Sequence, residues 1–341
     1  MTIIIDPQCS GISGNMIIGA LADLGADKDK LKEIMKKSAQ IVGEINVDFE
    51  KINKQGIDAM YCHVEMLDKN RHVHYNELVD KINALELDED VKKTSINIFK
   101  RIAIAESKVH GKPLEEIHFH EVGASDAVAD IIGSVWAYYS LNLDKENIIG
   151  LPIAVGGGQV KTSHGVLPVP APAVLEILKD LNFKGGPVLS ELATPTGCAI
   201  YAELCDEIKE FIPLINGANV GYGAGSKDFE HPNILRIIQS SSTDENDEID
   251  VIETNIDHLT GEEIGYLFDV LLEEGASDVS ITPTIMKKNR QGSLLKVISK
   301  RDKREKLVNL IFKETGSLGI RINPNIHRGL AKREFVKKTF E

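Results

Sequence analysis

One polar run, Ser240-Ser-Ser-Thr-Asp-Glu-Asn-Asp247, does most to restrict how this chain can fold. Apolar residues recur at helix or strand spacing on both sides of it and vanish within it, the pattern of a linker between separate cores. The 341 residues therefore divide into a first domain over 1–239, a linker over 240–249 and a second domain over 250–341. Beyond the linker the pattern predicts strand 250–255, helix 261–274, strands 279–283 and 294–299, helix 303–315 and strand 320–323. That β-α-β-β-α-β order is the split arrangement of a ferredoxin-like domain. Before the linker, short β-branched runs alternate with amphipathic helices, so the fold class is α/β (α+β), an N-terminal α/β domain followed by a ferredoxin-like one.

The first domain opens with a β-branched run, Thr2 to Asp6, then the loop Cys9-Ser-Gly-Ile-Ser-Gly-Asn15 and an apolar helix over 16–24. Backbone N–H groups at a helix start have no internal partners and carry the positive end of its dipole. Ser10, Gly11, Ser13, Gly14 and Asn15 thus form a candidate anion cradle. The competing reading is a tight turn, because no Gly-Lys-Ser/Thr ending follows as in a P-loop. The segment Glu-Leu-Ala-Thr-Pro-Thr-Gly over 191–197 puts Thr194 at an N-cap and Pro195 at the first helical position. Its Thr194 and Thr196 hydroxyls either bind an anion or cap the helix. Asp27 caps a helix containing Leu31, Ile34 and Met35, residues 45–49 and 60–66 alternate as a two-stranded ribbon, and a helix over 91–106 stops at His110-Gly-Lys-Pro113.

The densest chemistry lies in 117–133. His118 and His120 project to one side of a short strand, a spacing that lets two imidazoles reach one cation, with Glu121 beside them. Asp126 and Asp130 follow four residues apart, on one face of a helix from about Ser125. The competing readings are two surface imidazoles and a solvated helix face. Arg71-His-Val-His74 is a second His-X-His, better read as surface histidines. His164 opens His164-Gly-Val-Leu-Pro-Val-Pro-Ala-Pro172, whose prolines fix an extended path; it is a ligand or proton carrier, or it caps local backbone. In the second domain Asp257, Lys287, Lys288, Arg290, Arg321 and Arg333 form a cationic set with one acid, suited to a nucleotide phosphate bridged by a divalent metal or to a solvated surface.

A formal net charge of -13 argues against a nucleic-acid backbone or an anionic membrane as the main partner. No apolar run approaches the roughly 20 residues of a membrane span, and no basic segment and apolar stretch mark a signal peptide, so the expected location is cytoplasmic. Cys9, Cys62, Cys198 and Cys205 are scattered, which indicates free thiols rather than a zinc site or disulfides.

Taken together, Ser10-Gly-Ile-Ser-Gly-Asn-Met16, His118-Phe-His-Glu-Val-Gly-Ala124, His164 to Pro172, Glu191 to Gly197 and Glu253-Thr-Asn-Ile-Asp257 closely resemble the LarC family, the nickel insertion proteins of nickel-pincer nucleotide synthesis. The resemblance implies a nickel chelatase (cyclometallase) of the lyase class. Its substrate is pyridinium-3,5-bisthiocarboxylic acid mononucleotide, on which carbon–nickel and sulfur–nickel bonds form. CTP is cleaved to CMP and pyrophosphate with magnesium or manganese. Carried onto this sequence, the expected nickel ligands are His118, His120 and Glu121, and a ring proton would go to His164 or Glu121. The mononucleotide would lie on the 10–15 loop with Thr194 and Thr196, and CTP with its metal on Asp257, Lys287, Lys288 and Arg290. A homo-oligomer is the expected assembly. The chain departs from the family in two places, Asn15 and His258, where Asp is usual, and it ends at Glu341, earlier than the resemblance implies. Those departures keep two further readings open, a nickel-binding chaperone without chemistry and a metal-dependent phosphohydrolase.

Overall fold

In the computed structural model, residues 1–67, 73–119, 125–162, 165–242, 247–300 and 303–328 are described. The chain forms two compact units, Met1–Thr243 and Asp244–Glu341. The strands Ile234–Ser242 and Asp247–Ile256 take up both ends of the polar run read as a linker.

The first unit is built on a seven-stranded mixed sheet. Its strands run, in spatial order, Glu207–Ile208, Asn147–Gly150, Thr2–Asp6, Ile234–Ser242, Asn216–Ala224, Ile57–Met66 and Ile45–Lys54. Thr2–Asp6 lies parallel to Asn147–Gly150 and antiparallel to Ile234–Ser242. All five of its residues are buried, as a continuous β-branched run in a central strand should be. Asp6 ends that strand with its carboxylate held by Arg236, whose Nε donates at 3.0 Å, while Asp6 Oδ1 accepts the Gln8 N–H. The loop that follows therefore leaves the sheet in a fixed direction.

Helices Gly14–Leu24, Lys28–Ala39, Glu89–His110, Ser125–Ser140 and Pro195–Leu204 surround a core containing Ile17, Met35, Phe99, Ile132 and Ile200. Asp27 caps the second of these, its Oδ1 accepting from the N–H groups of Asp29 and Lys30 at 3.1 and 3.2 Å. The first helix lies directly on the sheet backbone. A Cβ added at Gly223 would overlap the Met16 carbonyl oxygen, one at Gly221 that of Ala20, and one at Gly19 that of Met60.

Two stretches show how single residue types shape the sheet. The apolar stretch 148–155 is not one strand: Asn147–Gly150 joins the large sheet, whereas Ile153–Ala154 pairs with Phe183–Lys184. Pro152 between them has no N–H to give a ladder. The glycine-rich stretch 217–225, which carries no strand signal, contains the nine-residue strand Asn216–Ala224, because the close helix needs residues without side chains there.

The second unit is a four-stranded antiparallel sheet in the order Asp278–Met286, Arg290–Ser299, Asp247–Ile256, Arg321–Arg328. With helices Gly261–Glu273 and Arg304–Thr315 it completes the ferredoxin-like β-α-β-β-α-β order. Ile252, Leu267, Leu271, Leu295, Val297, Leu307 and Ile311 form its core. Thr260 and Glu263 make a reciprocal capping box, Glu263 accepting the Thr260 N–H at 2.7 Å and Thr260 Oγ1 accepting the Glu263 N–H at 3.3 Å. Among the described residues no helix is long and apolar enough to cross a membrane.

Candidate active site

A cavity of about 570 Å³ opens in the first unit where three helix starts and one helix end meet. Ser13, Gly14 and Asn15 come from the start of Gly14–Leu24, Asp126 and Asp130 from Ser125–Ser140, and Thr194, Pro195 and Thr196 from Pro195–Leu204. Glu106 and His110 come from the last turn of Glu89–His110, and Glu191, Lys161 and Thr162 complete the polar lining.

Two sequence-distant loops are stitched together at its floor. The Ile12 N–H donates to the Leu192 carbonyl at 2.9 Å and the Thr194 N–H to the Ile12 carbonyl at 3.0 Å. Gly11 adopts φ +72, and any Cβ there would collide with the Leu192 carbonyl. Ser10 is buried and its hydroxyl donates to the Pro232 carbonyl at 2.6 Å. Ser10 and Gly11 thus build the wall, whereas Ser13, Gly14 and Asn15 line the space.

The Asp130 carboxyl stands against the first helix start, and the missing side chain of Gly14 leaves it its room, since a Cβ there would stand 2.6 Å from Asp130 Cβ. Asn15 is turned inward too: its Oδ1 accepts from the Ser13 hydroxyl at 2.7 Å. Asp130 is only partly buried as a residue, yet its Oδ1 is sealed from solvent and has no hydrogen-bond partner among the described residues. Burial pushes its carboxyl well above the usual range, the neighbouring Asp126 charge pushes the same way, and the Asn15 N–H opposes both. Burial also raises Asp126, against the pull of the Ala127 N–H that donates to it at 2.7 Å.

At the other helix start Thr194 Oγ1 accepts the Gly197 N–H at 3.2 Å and Pro195 occupies the first turn, as the sequence implied. Thr194→Ala should lower first-unit stability by about 1 kcal/mol, the ordinary value of an N-cap. An unchanged urea midpoint would remove the cap from the account.

His118 lies in the two-residue strand His118–Phe119, paired antiparallel with Val73–His74 so that His74 and His118 are cross-strand partners in register. The last residue of the second His-X-His, His74, thereby lies opposite the first residue of the other, His118. His120, Glu121 and His164 lie outside the described residues, as does Arg333. Among the described residues no three His, Cys, Asp or Glu side chains gather closely enough to hold a metal ion. Glu106, His110 and Lys161 were missed by sequence reasoning; an i,i+4 Glu–His pair just ahead of a glycine C-cap was the available signal.

In the second unit a cavity of about 820 Å³ is lined by Asp257, Thr284, Gln291 and Ser293 among others. Arg290 stands 3.9 Å from the Asp257 carboxylate. Lys287 and Lys288 occupy the adjoining turn Lys287–Asn289, outside the lining. His258 is committed to the fold, its Nε2 donating to the Thr315 carbonyl at 2.8 Å. Arg321 donates to Asn255 Oδ1 at 2.8 Å, which ties it to the neighbouring strand.

Comparison with known proteins places these features in a family. The sequence profile described as "Nickel insertion protein" matches residues 3–341. A Methanosphaera stadtmanae protein named for nickel insertion is 50% identical over 344 residues, covering 98% of this chain and 84% of the relative. A Staphylococcus saprophyticus relative, named pyridinium-3,5-bisthiocarboxylic acid mononucleotide nickel insertion protein, is 39% identical over 327 residues, covering 96% of this chain and 82% of its own. Among solved structures, the apo C-terminal domain of LarC, a cyclometallase in synthesis of the NPN cofactor of lactate racemase, is 38% identical, covers 26% of this chain and 62% of that one, and has a TM-score of 0.26. The chain belongs to the nickel insertion protein family.

Proposed function

We propose that this protein inserts nickel into pyridinium-3,5-bisthiocarboxylic acid mononucleotide, forming carbon–nickel and sulfur–nickel bonds, with CTP cleaved to CMP and pyrophosphate. Family membership over almost the whole chain supports the reading, and one structural observation carries it. The motifs that bear the family resemblance, 10–16 and 191–197, meet at a single cavity with the two aspartates that follow the His118 motif. That cavity offers what such a reaction needs in one place: a helix start for a phosphate, and acids for a cationic ring or metal. Nickel is the substrate metal, with His118, His120 and Glu121 as its proposed ligands. Asp126 and Asp130 add carboxyl oxygens at the wall.

CTP with magnesium or manganese is assigned to the second unit. The donor set suits those ions, which favour oxygen and are commonly held by one or two carboxylates plus phosphate oxygens. Asp257 is the carboxylate in that cavity's lining, and Arg290, Lys287 and Lys288 would meet the phosphates. His258 favours the rival reading of a nickel-binding chaperone, because its ring is spent on the Thr315 carbonyl where the family usually offers a second acid.

Incubating the protein with nickel, CTP, manganese and the mononucleotide decides between them. Insertion requires CMP release together with metallated product; nickel binding without CMP indicates the chaperone, and phosphate released from simple esters a hydrolase. His118→Ala and His120→Ala should each weaken nickel binding by at least tenfold, whereas His63→Ala, an exposed site in strand Ile57–Met66, should leave it unchanged. Equal affinities by calorimetry would take both histidines out of the metal site.

A further inference from the structure

Forming a nickel–carbon bond on a ring breaks a ring C–H bond, and a base must take the proton. Glu121 and His164, named for this from sequence, lie outside the described residues, but the cavity contains another candidate. Asp126 Oδ1 already receives the Ala127 N–H, and Asp130 Oδ1 is sealed from solvent. Lys161 in its charged form has no lone pair to offer.

His110 differs in kind. It lines the cavity from the last turn of helix Glu89–His110, and that turn is locked: Gly111 takes the left-handed conformation, the Lys112 N–H donates to the Ser107 carbonyl at 3.1 Å, and the Ser107 hydroxyl donates to the Lys112 carbonyl at 2.6 Å. Glu106, one turn back and also in the lining, places its Oε2 3.0 Å from His110 Nε2. The two side chains are only 20% and 28% exposed. A carboxylate that fixes an imidazole's orientation, and stands beside the charge it acquires, is the arrangement by which enzymes make histidine a general base.

We infer that His110, held by Glu106, accepts the ring proton as nickel bonds to carbon; this rests on the nickel-insertion reading above. In the step the C–H bond breaks, its electron pair becomes the carbon–nickel bond, the proton passes to the imidazole, and nickel stays divalent, so no oxidant or reductant is required.

The test uses the full chain with nickel, CTP, manganese and mononucleotide, either unlabelled or deuterated at the reacting ring carbon. His110→Ala should lower the rate of metallated-product formation about a hundredfold, and Glu106→Gln roughly tenfold. Nickel affinity and the KM for the mononucleotide should remain within twofold, and the deuterium isotope effect should rise because proton removal becomes limiting. Added imidazole should restore part of the rate to His110→Ala. His110→Gln, closer in size and polarity, must show the same loss, which separates chemistry from misfolding. If the parent protein inserts nickel and both His110 variants match its rate and isotope effect, the inference fails and the nickel-insertion reading stands. A large loss in His164→Ala or Glu121→Gln with none at His110 has the same meaning. If the parent makes no metallated product, both fail.

Discussion

Asp130→Asn is expected to melt higher than the parent at neutral pH and to take up nickel roughly a hundredfold more weakly. The stability half follows from linkage. Burial, with Asp126 adding to it, makes the folded protein hold the Asp130 proton more tightly than the unfolded chain does. Stability from that proton is fully present below the unfolded carboxyl value of about 4 and is lost as pH rises toward the folded one. Asparagine cannot ionise, so the variant escapes that loss. Its advantage should open as pH rises above about 4 and widen toward neutrality. The functional half follows from losing a carboxyl at the cavity wall that becomes anionic once its proton is released. Parallel melting curves from pH 4 to 8, read against calorimetric nickel titrations, check both. Superimposable pH slopes for parent and variant would mean that the buried carboxyl carries no such penalty. A more stable but less competent variant is the usual sign of a group kept for function.

Gly223→Ala is expected to lower first-unit stability by about 3 kcal/mol, the upper part of the range for forcing a methyl group into filled space. The added carbon would fall on the Met16 carbonyl and 2.7 Å from the Ala20 nitrogen, both backbone atoms of helix Gly14–Leu24 that no side-chain rotation can move aside. For a unit of this size that corresponds to a melting temperature lower by about 6–12 °C. The helix would have to lift, and its start carries Ser13, Gly14 and Asn15 into the cavity, so nickel uptake should fall with stability. Gly265→Ala is the control: it lies within helix Gly261–Glu273 with nothing near its missing Cβ, and alanine should there stabilise by about 1 kcal/mol. A Gly223→Ala protein melting within 2 °C of the parent would show that the helix yields easily.

The sequence made legible whatever depends on local periodicity and capping. Asp27, Thr194 and Pro195 could be placed because a cap is a relation among four neighbouring residues. The second unit's element order could be read because each strand and helix carries its own apolar pattern. Contacts between distant stretches were not legible. Nothing near Gly14 announces that a carboxyl from Asp130 will stand beside it, so the 10–15 loop reads as an open cradle. The glycine-rich stretch 217–225 carries no strand signal, because propensity does not know which backbone will lie against it. His110 read as the end of a helix, which it is; only the tertiary arrangement turns that end toward a cavity.

The internal carboxyl at the first helix start gives the cavity a head and a tail. A negatively charged group finds that start taken by Asp130 and is left the one beside Thr194 and Thr196, while a positively charged group is drawn to the aspartates. A molecule with a phosphate at one end and a cationic ring at the other would then have one favoured way to lie, its ring toward the acids, before any contact specific to its chemistry is made.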